Sequence, residues 1–126
     1  MKFISGVLVY GLLFTACNKK SGVTPDHTPP AIVLLSPVSG QLFLSGQAIH
    51  ISGSITDDQF ISEAHVHVYN QLTGDKLMDI HLYPSGPTAS FNENLAASQG
   101  ITYQIQVLAA DRNSNQSSTT VIVSCN

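Results

Sequence analysis

Ile61-Ser62-Glu63-Ala64-His65-Val66-His67-Val68-Tyr69 and Lys76-Leu77-Met78-Asp79-Ile80-His81-Leu82-Tyr83 are two alternating runs separated by the turn-forming Asn70 to Asp75. A period of two marks a strand with one buried face, and so short a connection makes the pair a hairpin. Pairing Tyr69 with Leu77 sets His67 opposite Asp79, His65 opposite His81, Val66 opposite Ile80 and Val68 opposite Met78. Ala64, Val66, Val68, Met78, Ile80 and Leu82 then share one face. A slip of one residue would mix polar and apolar side chains on both faces, so burial fixes this parity. The histidines are expected together on the solvent side.

The same reading extends outward. Ala48 to Thr56 places Ile49, Ile51, Gly53 and Ile55 on one face and His50, Ser52, Ser54 and Thr56 on the other. Ile32 to Leu35, Ala89 to Leu95, Ile101 to Ala110 and Thr119 to Val123 are further strands, and Gln41 to Leu44 is a short continuation after a turn through Pro37, Ser39 and Gly40. No segment carries a helical period that outranks these. The pattern predicts an all-β domain, a single sandwich of about seven strands over residues 31–126.

Leu95, Gly100-Ile101-Thr102-Tyr103-Gln104-Ile105-Gln106-Val107, Ala109-Ala110-Asp111, Asn115 and Ser117 resemble the F-strand region of fibronectin type III and bacterial Ig-like domains. In those folds a tyrosine near the start of strand F ties the E–F corner through its hydroxyl. The resemblance puts Tyr103 in that role.

At the N-terminus, Lys2 precedes an apolar run from Phe3 to Phe14, then Thr15, Ala16 and Cys17. Charge, apolar core and small residue in that order make residues 1–16 a secretory signal. The run is shorter than the roughly 20 apolar residues that span a bilayer. Phe14-Thr15-Ala16-Cys17 resembles the lipobox of bacterial lipoproteins, which implies lipid on Cys17, although Phe14 stands where the motif usually has leucine. Residues 17–30, ending in Thr28-Pro29-Pro30, read as a tether. Taken whole, the chain is similar to small Ig-like lipoproteins of unknown function from Bacteroidetes-type cell envelopes. The resemblance implies a lipid-anchored place in the bacterial envelope, with the outer membrane favoured. Asn18-Lys19-Lys20 replaces the acidic residues that usually mark surface export, which adds weight to the periplasm-facing side over the cell surface.

With Cys17 lipidated, Cys125 has no partner within the mature chain, and its position next to last suggests a frayed end. Removing Lys2 with the leader leaves Lys19, Lys20, Lys76 and Arg112 against 8 carboxylates. So acidic a balance argues against nucleic acid as a partner. The expected partners are the membrane, through the lipid, and a protein or glycan ligand.

Two clusters offer chemistry. His65, His67, His81 and Asp79 would lie within reach of one another across the hairpin, and neutral imidazoles with a carboxylate suit Zn²⁺ or Cu²⁺. The alternative is a solvated strand face. Asp57, Asp58, Asp111, Asn113 and Asn115 fall in the two loops that share a pole of such a sandwich, where oxygen ligands suit calcium. That run lacks the glycine and glutamate of a calcium loop, so Asx turns are the competing purpose and calcium is disfavoured. No Gly-x-Ser-x-Gly elbow is present, and a sandwich of this size leaves little room for paired acids around a cleft. The expectation is therefore a binding or interaction module with no catalytic residues, recognisable by an apolar patch around Tyr69, Leu77 and Tyr83; a metal-binding lipoprotein is the alternative.

Overall fold

A computed structural model describes residues 25–126; the expected signal peptide, the expected lipidation site Cys17 and the first part of the expected tether lie outside the described residues. The strands are β1 (Ala31–Ser36), β2 (Leu42–Phe43), β3 (Ala48–Thr56), β4 (Ile61–Asn70), β5 (Lys76–Leu82), β6 (Thr88–Ala96), β7 (Thr102–Asp111) and β8 (Gln116–Cys125). They form a three-stranded sheet in the order β1-β3-β6 and a five-stranded sheet in the order β2-β8-β7-β4-β5. This is the expected β-sandwich. The short β2 adds an eighth strand, because the chain crosses after β1 to the other sheet and pairs parallel with β8.

Alternation accounts for the layers. Ile49, Ile51 and Ile55 of β3 are fully buried, and they face Val66 and Val68 of β4, Tyr103, Ile105 and Val107 of β7, and Val123 of β8 within one core. Fully burying a side chain of this kind contributes about 1.5–3 kcal/mol, so the parity of these strands dominates the energetics of the fold. Met78, Ile80 and Leu82 of β5 are only half-buried against this core. A three-stranded layer cannot cover all of a five-stranded one, and β5 is the edge left over.

Gly53 marks the tightest point of the small sheet. Opposite it on β6 is Phe91, and a Cβ at position 53 would run into the Phe91 ring and the Val33 carbonyl oxygen. Phe91 thus fills the core space that a side chain at 53 would claim.

Three sequence expectations need correction. Tyr69 pairs with Lys76 rather than Leu77, through a bulge between Val68 and Tyr69, while the pairs from Val68–Met78 to Ala64–Leu82 stand as expected. Cys125 is not on a frayed end: it is 2% exposed, and its N–H donates to the Ile101 carbonyl at 3.0 Å. Phe43 of β2 pairs beside it and extends the sheet to the chain's last residues. Finally, the segment before β1 is packed from Asp26 onward: Asn115 Nδ2 donates to the Asp26 carbonyl at 3.0 Å and Ser117 Oγ to the Pro30 carbonyl at 2.6 Å.

The corner tyrosine is in place. Tyr103 is buried, and its hydroxyl oxygen accepts the Ser98 N–H at 2.7 Å. Tyr103→Phe should lower unfolding free energy by roughly 0.5–1.5 kcal/mol, since it strands that donor; an unchanged denaturant midpoint would remove the corner's structural role. Gly53→Ala should destabilise by about 1–3 kcal/mol, as overpacking does, measured in the same denaturation experiment.

Candidate metal centre

β4 lies second from the edge of the large sheet, so its outward side chains have neighbours on both sides. His65 faces His81 of β5 and Leu108 of β7; His67 faces Asp79 and Gln106. That lateral packing leaves the two imidazoles only 23% and 17% exposed although they belong to the solvent face.

The hydrogen bonds assign the protons. His65 Nε2 lies 2.7 Å from Glu63 Oε1. A carboxylate only accepts, so Nε2 carries the hydrogen and Nδ1 of the neutral ring holds the lone pair. That Nδ1 is buried and has no partner. His67 Nε2 similarly donates to Asp79 Oδ1 at 3.0 Å, while Tyr69 Oη–H donates to His67 Nδ1 at 3.3 Å. Lys76 Nζ donates to Asp79 Oδ2 at 3.0 Å.

These contacts set the charges. Burial, the largest effect, pushes the His67 pKa below 6.5 and outweighs the attraction of Asp79, with Lys76 acting in the same direction as burial. The hydrogen bond from Lys76 holds the Asp79 carboxyl below its ordinary range, and the bond from His65 does the same for Glu63. Neutral imidazole beside ionised carboxylate is the protonation state that metal ligation requires.

One donor atom each from His65, His67 and Asp79 lies within 4.8 Å of the others. Metal–nitrogen bonds of about 2.0–2.1 Å put the ligand atoms of a tetrahedral site roughly 3.3 Å apart. His67 Nε2 and Asp79 Oδ1 already meet that separation, and His65 would close the remainder by a side-chain adjustment. His81 is not in the convergent set; its ring lies 4.3 Å from that of His65 and stacks on Tyr83 at 4.5 Å and 8°. Glu63, which sequence reasoning passed over, shares the parity of His65 and His67, and that parity was the available signal. On the far side of His65 from β5, a recess of about 320 Å³ is lined by Glu63, His65, Leu108, Ala110, Gln116 and Ser118 among others.

The loop cluster divides. Asp111 Oδ1 accepts the backbone N–H of Asn113 at 2.8 Å and of Asn115 at 2.9 Å, and Oδ2 accepts from Asn115 Nδ2 at 2.7 Å. Burial raises the Asp111 pKa, but the bonds from Asn115 and Asn113 hold it below the usual value. Asp111, Asn113 and Asn115 therefore fold their own loop. Asp57 and Asp58 instead converge with Asp26, a residue outside the expected set.

No known family pattern matches this chain, and no curated protein matches its sequence. Among the solved structures that share the fold are two superoxide reductases (neelaredoxin) from Ignicoccus hospitalis. The T24K form aligns at TM-score 0.52 and 11% identity over 78% of this chain and 80% of its own. The other aligns at TM-score 0.50 and 10% identity over 79% and 81%. Identities this low show a shared fold. They nevertheless correct the expectation of a non-catalytic domain drawn from size and missing motifs, because proteins named as enzymes are built on this sandwich at nearly the same length.

By NMR titration His67 should protonate below 6.5, and Asp79→Asn should lower its pKa further by removing the group that opposes burial. A folded pKa below the unfolded value means the unfolded chain binds more protons between the two, so stability should fall as pH drops through that window. A His67 pKa at or above 6.5 would overturn the assignment of burial as the dominant effect.

Proposed function

We propose that this protein is a metal-binding domain of the bacterial cell envelope, anchored by lipid on Cys17, in which His65, His67 and Asp79 hold a first-row divalent ion on the outer face of the large sheet. The observation that carries the reading is His65: its Nδ1 lone pair is buried and unpartnered while Glu63 fixes the proton on Nε2. An enclosed polar atom without a partner costs about 1–3 kcal/mol, and a cation supplies the missing interaction. A carboxylate behind a ligating imidazole is the usual outer support of such sites, fixing tautomer and raising basicity.

Two imidazoles, a carboxylate and open positions make a donor set that Zn²⁺, Cu²⁺ and Fe²⁺ accept. At His67 an ion would replace the hydrogen now shared with Asp79, and the ring proton would move to Nδ1, where the Tyr69 oxygen accepts it. The recess beside His65 leaves room for water or a small ligand. A protein- or glycan-docking face draws less support. Leu77 and Tyr83 are exposed, but Leu77 lies near the start of β5 and Tyr83 just past its end, roughly 20 Å apart at strand rise, with Asp79 and His81 between them.

Calorimetric titration with Zn²⁺, Cu²⁺ and anaerobic Fe²⁺ at pH 7.5 should show one site, with affinity falling as pH drops through the imidazole range near 6.5. His65→Ala and His67→Ala should abolish binding, Glu63→Gln should weaken it about 10–100-fold, and His81→Ala should keep most of it. Absence of binding by the unaltered protein would overturn the reading. The anchoring part is tested separately by mass spectrometry. Acyl chains on Cys17 are expected, and an intact residue 1–16 segment in the membrane fraction would refute them.

A further inference from the structure

A second, chemically different cluster sits at the pole where the β3–β4 and β7–β8 loops meet. Asp26, Asp57 and Asp58 each bring one carboxylate oxygen within 4.8 Å of the other two. Asp26 is 7% exposed; its Oδ1 accepts the Thr28 N–H at 2.9 Å, but its Oδ2 is enclosed and receives no hydrogen bond. Asp57 repeats the arrangement. Its Oδ2 accepts the N–H groups of Gln59 and Phe60 at 2.9 and 2.8 Å, while its Oδ1 is enclosed and unpartnered.

Two enclosed carboxylate oxygens without donors, beside the carboxylates of Asp58 and Asp111, repel one another at a cost. Among the described residues no lysine or arginine pairs with any of the three, and the nearby Arg112 guanidinium lies over the Phe60 ring at 3.5 Å. Hydrogen bonds hold the outer oxygens so that the inner ones stay open, which is how a loop site presents itself to a cation. The donors are all oxygen and include no imidazole or thiolate. That composition selects a hard ion, and irregular loops suit calcium better than magnesium's strict octahedron.

We propose that Asp26, Asp57 and Asp58 form a calcium-type cation site, and that the bound ion clamps the segment preceding β1 onto the pole of the sandwich. Backbone carbonyls or water complete the shell, since calcium takes 6–8 oxygens. The bonds from Asn115 to the Asp26 carbonyl and from Ser117 to the Pro30 carbonyl preset the segment's path. The Asx loop around Asp111 thereby acts as a positioning element, placing Asn115 to hold Asp26. With the ion bound, the domain's orientation on its tether is fixed; without it, Asp26 is held by neutral hydrogen bonds against like charge.

The test uses the full-length protein in detergent, titrated with CaCl₂ alone by calorimetry and followed by thermal melting in calcium and in EGTA. A dissociation constant on the order of 10⁻⁴–10⁻³ M, typical of extracellular modules, and a calcium-dependent rise in midpoint are expected. Hydrogen exchange at the Asp26, His27 and Thr28 amides should slow when calcium is added. Asp26→Asn keeps the acceptor for Thr28 but removes the charge. It should weaken calcium binding at least about tenfold, and in EGTA it should melt no lower than the unaltered protein. Glu63→Gln, at the separate imidazole site, should keep the full calcium response. Three results would overturn the proposal: no calcium heat or midpoint shift in the unaltered protein, unaltered affinity in Asp26→Asn, or an Asp26→Asn midpoint depressed equally with and without calcium.

Discussion

Burial of Val66 and Val68 between the two sheets is the constraint on which the rest depends. Both are fully enclosed, and a strand has only two faces, so once they turn inward His65, His67 and Glu63 have no direction left but outward. Because β4 is flanked by β5 and β7, outward does not mean freely solvated. The histidines are pressed laterally between His81 and Leu108, and between Asp79 and Gln106. The same alternation that builds the core therefore makes a half-buried polar row on its back. Such a row shifts protonation equilibria without costing a fully buried charge.

Within that row, a single acceptor makes His65 different from its neighbours. Glu63 takes the Nε2 proton, which leaves the other nitrogen as a pure lone pair in an enclosed position. His67 has partners on both nitrogens, and His81 stacks on Tyr83 while meeting the His65 ring at a tilt of 58°. Three histidines that look equivalent in the sequence are thus chemically unequal, and the inequality comes from residues two positions away on the same strand face.

How far the sequence reached follows from the range of the forces involved. Register in the hairpin was legible because the six inward residues penalise any slip collectively. Tyr103 was legible through the resemblance of its stretch to Ig-like F-strands, and the bond that the resemblance implied is a local one, to the Ser98 N–H five residues away. The bulge at Tyr69 was not, since it relocates a single pair at the strand end and leaves the inward set untouched. Cys125 was misread because its burial depends on β2, a strand of two residues whose pairing joins distant parts of the chain. Asp26 reads as tether in the sequence for the same reason: the side chain that holds its carbonyl is Asn115, 89 residues away. The tautomer of His65 could have been inferred from the shared parity of Glu63, but only after treating a carboxylate on the same face as a hydrogen-bond acceptor rather than as a solvated charge.

The mistaken exclusion of catalysis has a physical root. Acid–base chemistry of the glycosidase type needs two carboxylates held apart across a cleft, and a thin sandwich has no interior to spare for one. A metal centre needs only a few side chains whose donor atoms converge, and neighbouring strands supply these at separations that pleating already sets. The outer face of a sheet is then sufficient, provided that flanking side chains limit water on one side and a recess admits a ligand on the other. His65 sits between two such environments, with β5 on one side and the recess toward β7 and β8 on the other. Room for chemistry in a fold this small is thus decided by which residues alternate outward on its second strand from the edge, and domain volume is a poor guide to it.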